Sequence, residues 1–458
     1  MSGKENALYI HLTIRVVLRR PSTTCTGRSD RERRYLRKGR REARIFKLPV
    51  TEVSSPREAT PDLFVSTTRR PSPYYTTTTH NNINQSSPIA SPYVSVIMPT
   101  KSPFPDVPIP ATDLWSFIFD RQERDFTDDK VIYRAVDSSR HHTFADVKRL
   151  ATNFGQGLID RWNWQKDEVL ALYTPNDIDV GPVIYGTLYA GGIVTPANPG
   201  YSADELAYQI KNAGARAVVT TAQFLSTAVK AAEKVGIKKE CVLILGEVNS
   251  KDAQHWRDIT PSGQKGSIKR RTADPQDLAF LAYSSGTTGL PKGVMLSHRN
   301  IIADLLAIQH SVGHSYSSSS AKFLGVLPFF HIYGLTGLVH QTLHRGIEMV
   351  VMAAFDMHVF LKAVQSHKIT FVYVAPPVLV RLSRDKMVDG WDLSSLEMIT
   401  SGAAPLTKEL VDAVHKRVGV KINQAYGLSE TSPLTHTQVS RQLYSTIHTA
   451  QLPFAVLK

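Results

Sequence analysis

The chain has 458 residues, an apolar fraction of 42% and a formal net charge of +14. That length admits two or three domains, and the apolar share is that of a chain with a buried core. Charge is uneven: residues 1–97 hold 17 Lys/Arg against 7 Asp/Glu, and the remaining 361 carry a net of only +4, so the basic character gives no ground for nucleic-acid binding by the folded part.

In chain order, residues 1–97 read as a disordered leader. Arg28 to Lys47 is Arg-rich, and Thr67 to Tyr93 is rich in Ser, Thr, Pro and Asn, so little apolar surface is on offer to offset ordering entropy. Glu5, Asp30, Glu32 and Glu42 do not suit a transit peptide. The two cysteines, Cys25 and Cys241, do not suggest a structural disulfide, which fits a reducing compartment. From about residue 110 strands and helices alternate. Val169 to Tyr173 reads as a strand. Val180 to Pro196, broken by glycines and prolines, reads as a buried helix plus a strand Ile193 to Thr195 that Pro196 ends, not as a membrane span. Ser202 and Glu205 form a capping box before a helix with Leu206 and Ile210 on one face, closed by Gly214. Strands follow at Ala217 to Thr220, Cys241 to Leu245, Thr370 to Ala375 and Met398 to Thr400, with helices over Val359 to Val364 and on the Leu410, Val411, Val414, Val418 stripe. Val420 to Asn423 leads into a final glycine turn. This alternation predicts an α/β fold of doubly wound parallel sheets.

The most informative stretch is Tyr283 to His298, YSSGTTGLPKGVMLSH. It reads as a loop entered from an apolar strand, Leu278 to Tyr283, and built to hold phosphate. Gly286, Gly289 and Gly293 allow φ > 0 and bring backbone N–H groups close to a ligand. Ser284, Ser285, Thr287 and Thr288 add hydroxyl donors, and Lys292 adds a point charge. A P-loop NTPase needs a second Gly five residues after the first, followed by Lys; five residues from Gly286 lies Pro291, so that motif fails. A plain polar hairpin turn needs far fewer hydroxyls and glycines.

The stretch resembles the phosphate-binding signature of the adenylate-forming superfamily, which comprises acyl-CoA ligases, luciferases and peptide-synthetase adenylation domains. Four further segments resemble the same superfamily in the expected order: Leu188 to Tyr201, Leu327 to Leu335 (LPFFHIYGL), Thr400 to Leu406 (TSGAAPL) and Gln424 to Pro433 (QAYGLSETSP). The resemblance runs from about residue 101 to 437 and is nearest to the 4-coumarate–CoA ligase-like branch. It implies ATP, Mg²⁺ and coenzyme A as cofactors and a small aromatic or fatty carboxylic acid as substrate. It also implies site roles. Lys292, His331 and Glu430 would be catalytic. Ser284, Ser285, Gly286, Thr287, Thr288, Gly289, Lys292, Gln424, Tyr426, Gly427 and Ser429 would hold the nucleotide, with Tyr426 stacking on adenine and Ser429 donating to the α-phosphate. His331, Tyr333, Gly402, Ala403, Ala425 and Pro433 would border the acyl group, with Phe330 nearby, and Glu430 would hold the metal. Ala425 stands where many cinnamate-type ligases have Gly, and Gly337 where that branch often has a small hydroxyl residue; both loosen any tie to hydroxycinnamates.

The resemblance implies a large domain over residues 98–437, with subdomains of about 98–275 and 276–437, and a small β-barrel. Met98 resembles a natural start. Beyond Glu430 the sequence has no Asp or Glu, and Lys458 is the sole later Lys. Residues 438–458 read as a non-family tail, so the expectation is a chain lacking the mobile C-terminal lid, with its ribose-binding Asp and late Lys, and little turnover. The alternative is a non-catalytic binder of nucleotide or acyl-adenylate. A cytoplasmic or peroxisomal location is open, and a terminal Ser-Lys-Leu is absent.

Overall fold

The computed structural model describes residues 102, 104–248, 250–262, 268–284, 290–313, 316 and 320–438. All fall in one unit, Val94–Lys458. Expectations for residues 1–97 and 439–458 lie outside the described residues. In chain order the strands are β1 (Val131–Ala135), β2 (His141–Thr143), β3 (Val169–Tyr173), β4 (Ile193–Ala197), β5 (Ala215–Thr221), β6 (Val242–Leu245), β7 (Gln254–His255), β8 (Leu278–Ser284), β9 (Lys292–Ser297), β10 (Lys322–Gly325), β11 (Glu348–Val351), β12 (Phe371–Val374), β13 (Met398–Ser401), β14 (Lys421–Gly427) and β15 (Leu434–Thr437).

They build two sheets. One runs β7-β6-β5-β3-β4-β8-β9, the other β15-β14-β13-β12-β10-β11-β1-β2. Neighbours are parallel except at three edges, where β9, β15 and β2 lie antiparallel to β8, β14 and β1. The predicted parallel α/β class is therefore the observed one. Sheet membership does not follow a division near residue 275: β1 and β2 join the sheet of the later strands, and β8 and β9 join that of the earlier ones. Among the described residues every strand belongs to these two sheets, and no separate barrel occurs.

Alternation along the strands sets the layers. In β12, Phe371 and Tyr373 enter the central core while Val372 and Val374 face an outer one. In β6, Leu243 and Leu245 face the centre and Val242 and Ile244 the opposite exterior. Period-2 side chains buried on both faces need cover on both. The helices Phe144–Trp162, Val180–Tyr189 and His298–Ser311 pack between the sheets. Ala203–Asn212 and Leu225–Val235 cover one exterior, and Met357–His367, Pro376–Arg384 and Lys408–Val418 the other.

The capping box at Ser202 and Glu205 is present, as are like boxes at Thr143/Asp146 and Ser297/Asn300. Gly214 has φ +66 at the helix end. Two boundaries differ from expectation. Pro196 lies within β4 rather than ending it, because pairing with β8 reaches only Val194↔Phe280 and a missing N–H beyond it breaks no ladder bond. Cys241 sits in a short 3₁₀ turn before β6 and carries a free thiol.

Candidate active site

In the second sheet β10 is flanked by β11 on one side and β12 on the other. The chain goes from β10 to one neighbour and then crosses to the other, so a crevice opens at the carboxyl ends of these strands. The loop 326–331 leaves β10 there. Asn176, just beyond β3 of the other sheet, clamps it: Asn176 Nδ2 donates to Leu327 O (2.9 Å) and Gly325 O (3.4 Å), and Phe329 N donates to Asn176 Oδ1 (2.8 Å). All these groups are buried, so one side chain ties the two sheets together at the crevice.

The loop delivers Phe330, His331 and Tyr333. The Phe330 and His331 rings lie 4.5 Å apart. His331 reaches solvent on one side, and desolvation by the surrounding protein lowers its pKa. Tyr333 lies in a helical run, Ile332–Gly334, whose continuation Leu335–His340 is π-wound before Gln341–Arg345. Such π turns gather at functional sites. The Tyr333 hydroxyl donates to Thr400 O at 3.4 Å, and its ring packs edge-on to Tyr373 at 5.6 Å. A Cβ on Gly402 would lie 3.1 Å from Tyr333 and 3.3 Å from Ala425 O, and one on Gly337 3.7 Å from Tyr333. The structure thus brings Tyr333, Gly402, Ala425 and Gly337 together around one aromatic wall. Ala403, next to Gly402, is exposed with φ +73.

Gln424, Ala425, Tyr426 and Gly427 lie on β14, beside β13 through Ser401↔Gln424. Tyr426 is 44% exposed, unusual for a large aromatic residue here, with the His436 ring 6.0 Å from its own. Gly427 has no room for a side chain: a Cβ would meet Pro433 O at 2.0 Å. A 3₁₀ turn, Ser429–Thr431, follows, then the cis Ser432–Pro433 peptide and β15. Leu428 N donates to Pro433 O (2.9 Å) and Thr431 Oγ1 (3.0 Å), which fixes the turn that presents Ser429 and the exposed Glu430.

The first sheet supplies the opposite side. β8 and β9 form an antiparallel hairpin with Ser284 opposite Lys292, and both strands pass alongside the Ser429–Thr431 turn. Ser285, Gly286, Thr287, Thr288 and Gly289 lie outside the described residues. Two expectations change here. Lys292 is the first residue of β9, not a loop residue. Gly293 is a strand glycine opposite Tyr283, and a Cβ there would sit 3.0 Å from the Tyr283 ring. Its lack of a side chain lets that ring lie flat across the hairpin rather than granting φ > 0. Among the described residues no group of three His, Cys, Asp or Glu is placed to hold a metal ion.

Two residues escape a reading of the sequence. Asn176 follows a strand and resembles any turn residue. Asp304 lies on the stripe of Ile301, Leu305 and Ile308 in the helix His298–Ser311, and is 4% exposed. An acid on an apolar stripe is a legible signal. One of its oxygens accepts from Leu434 N at 3.1 Å, and burial pushes its pKa well above the carboxylate range.

A hairpin of one parallel α/β sheet meeting a turn of the other is the class of site seen here; the chain belongs to the AMP-binding enzyme family, which it matches over residues 119–456. That match runs on through the stretch from Val439 set apart in the sequence. The chain is 34% identical over 342 residues to 4-coumarate–CoA ligase-like 1 of Arabidopsis thaliana, covering 74% of this chain and 61% of that protein. It is 33% identical over 342 residues to 4-coumarate–CoA ligase of Pinus taeda, covering 73% and 61%. A long-chain-fatty-acid–CoA ligase from Archaeoglobus fulgidus superposes with a TM-score of 0.68 at 25% identity, over 78% of this chain and 72% of that one. The chain thus spans about three-fifths of the length of these curated relatives.

Proposed function

We propose that this chain binds ATP with Mg²⁺ and a small aromatic or fatty carboxylic acid, and that it carries the acid-activating half of an acid–CoA ligase. In the first step a carboxylate oxygen attacks the α-phosphorus of ATP and pyrophosphate leaves, giving an acyl-adenylate. In the second the thiol of coenzyme A takes the acyl group and AMP leaves. The observation that supports this reading is the meeting of the β8–β9 hairpin, in which Ser284 pairs with Lys292, with the Ser429–Thr431 turn.

In this reading Lys292 and the hydroxyl-rich connection of the hairpin grip the phosphates, Tyr426 stacks on adenine and Ser429 donates to the α-phosphate. Mg²⁺ is commonly held by one or two carboxylates plus substrate phosphates. An exposed Glu430 on the turn suits that donor set. Phe330, Tyr333, Gly402, Ala425 and Pro433 wall a flat apolar acyl group, with His331 at its mouth.

Calorimetry of the full chain with ATP·Mg²⁺, paired with pyrophosphate release in the presence of cinnamic and medium-chain acids, tests the proposal. Micromolar ATP binding is expected, weakened about 10- to 100-fold by Lys292→Ala, the range of a hydrogen bond to a charged group. Unchanged ATP affinity in that variant refutes the assignment. Tight binding of an acyl-adenylate analogue with no pyrophosphate release identifies a non-catalytic binder instead.

A further inference from the structure

The strand bearing Lys292 is held from outside its own hairpin. The helix Ala203–Asn212 buries Leu206, Ala207, Gln209 and Ile210, while Tyr208 and Asn212 bond to the hairpin of β8 and β9. The Tyr208 hydroxyl donates to Pro291 O at 3.2 Å, one residue before Lys292. Pro291 lies past the last ladder pair, Ser284↔Lys292, so this bond fixes backbone that the sheet does not. The residue after Lys292 is held as well. The Tyr283 ring lies across Gly293, and the Tyr283 hydroxyl donates to Asn212 Oδ1, with Gln209 O 3.5 Å away. Burial, and after it the neighbouring Tyr208, push the Tyr283 phenol up to about 12, so it keeps its proton for these bonds. The helix is locked in turn to the sheet. Gln209 Nε2 donates to Thr195 Oγ1 at 3.0 Å and to Pro196 O at 2.9 Å, and Thr195 Oγ1 donates to Leu281 O of β8 at 2.9 Å. Both neighbours of Lys292 are thus tied to one helix, and Lys292 itself is exposed.

Resting on the ligase reading above, we propose that Tyr208 is a positioning residue for Lys292: its hydroxyl, seconded by the Tyr283–Asn212 bond, sets where the ammonium meets the phosphates of ATP that leave as pyrophosphate. Pro291 O is only partly buried, and water serves such a carbonyl nearly as well as a phenol does. The Tyr208 bond therefore contributes little to stability, and its consequence is where the backbone sits. A lysine is a point charge on a flexible four-carbon stem. Its ammonium moves with its Cα, and a displacement of about 1 Å arising away from the reacting atoms is enough to cost affinity or rate.

Calorimetry on the full chain tests this with two ligands: ATP·Mg²⁺, and the non-hydrolysable acylsulfamoyl adenosine of cinnamic acid, which lacks the two outer phosphates. Tyr208→Phe keeps the ring and removes one hydroxyl. It is expected to weaken ATP binding about 3- to 10-fold, the range of one neutral hydrogen bond, and to leave the analogue within about twofold. In a Lys292→Ala background the same substitution is expected to change ATP affinity by less than about twofold, because nothing is left to position. Tyr283→Phe, which keeps the ring on Gly293 and frees it from Asn212, is expected to act in the same direction and to lose its effect in the same background. A Tyr208→Phe chain that binds ATP like wild type, that loses both ligands alike, or that loses ATP equally with and without Lys292 overturns the inference while leaving the ligase reading intact. Wild-type protein with no affinity for either ligand overturns both.

Discussion

Ala403 and Gly427 bracket what single residues do at this crevice. Ala403 has φ +73 directly after Gly402, where an L side chain crowds the following carbonyl. It is exposed, so nothing packs against its methyl. Ala403→Gly is therefore expected to stabilise the chain by about 0.5–1 kcal/mol, the strain relieved less the entropy that glycine adds to the unfolded state. Urea unfolding monitored by Trp fluorescence reads this, and a destabilised variant contradicts it. Gly427 is the reverse case. A Cβ there meets the Pro433 carbonyl at 2.0 Å, a backbone atom held by bonds from Leu428 N. Gly427→Ala must shift β14 or the turn. The expected cost is at least about 2 kcal/mol, as for overpacking a rigid site, with ATP affinity falling because Tyr426 and Ser429 move with it. Retained ATP affinity in a folded Gly427→Ala chain shows that this turn does not touch nucleotide.

Between elements, the sheet-to-sheet connection rests on Asn176. Removing its amide strips a donor from Leu327 O and an acceptor from Phe329 N, both buried. At about 1–3 kcal/mol for each unmet buried group, Asn176→Ala is expected to cost about 2–4 kcal/mol and to loosen the loop bearing His331 and Tyr333. Comparing the urea midpoint with analogue affinity separates the two effects. Nothing local marks Asn176: its partners lie 149 to 153 residues away. What could be read from the sequence was short in range. The Ser202/Glu205 box, the helix-closing Gly214 and the buried run Val169 to Tyr173 each follow from neighbours within five residues, and each is where it was expected. Gly293 departs from expectation because its reason is cross-strand: the Tyr283 ring opposite it. Pro196 departs from expectation because whether its missing N–H matters depends on where β8 stops pairing. The site motifs were legible as strings, but their meeting across two sheets, hairpin against turn, is a property of the interleaved topology alone.

At the scale of the whole molecule, segments distant in sequence are stitched by groups that cannot carry charge, and this gives acid sensitivity a definite window. His298 begins the helix that follows the hairpin and is 3% exposed. Its ring Nδ1 accepts from Leu114 N at 3.2 Å, and its backbone N–H donates to Asp277 O at 3.1 Å, so the segments near 114 and 277 converge on this one residue. Desolvation takes its pKa down to about 4; the nearby Asp113 and Asp277 oppose that shift, and Arg270 and Lys166 add to it. The folded chain therefore releases the proton more readily than the unfolded chain, where the value is 6.5. The unfolded state binds more protons between those values, so stability is whole above pH 6.5 and falls as pH drops towards 4. At 1.36 kcal/mol per unit the loss amounts to about 3 kcal/mol. His340, buried against Tyr185 and taken down to about 3, acts with the same sign. The carboxylates held low by their partners, Asp113 and Asp277 among them, keep their contribution above 3.8 and lose it below, so they leave this window clear. His298→Asn retains an acceptor for Leu114 N without a titratable ring. Between pH 4.5 and 6.5 the urea stability of wild-type protein is expected to climb by about 2–3 kcal/mol more than that of the variant. Parallel curves for the two proteins mean that acid unfolds the chain elsewhere, and that the His298 ring is not where protons enter.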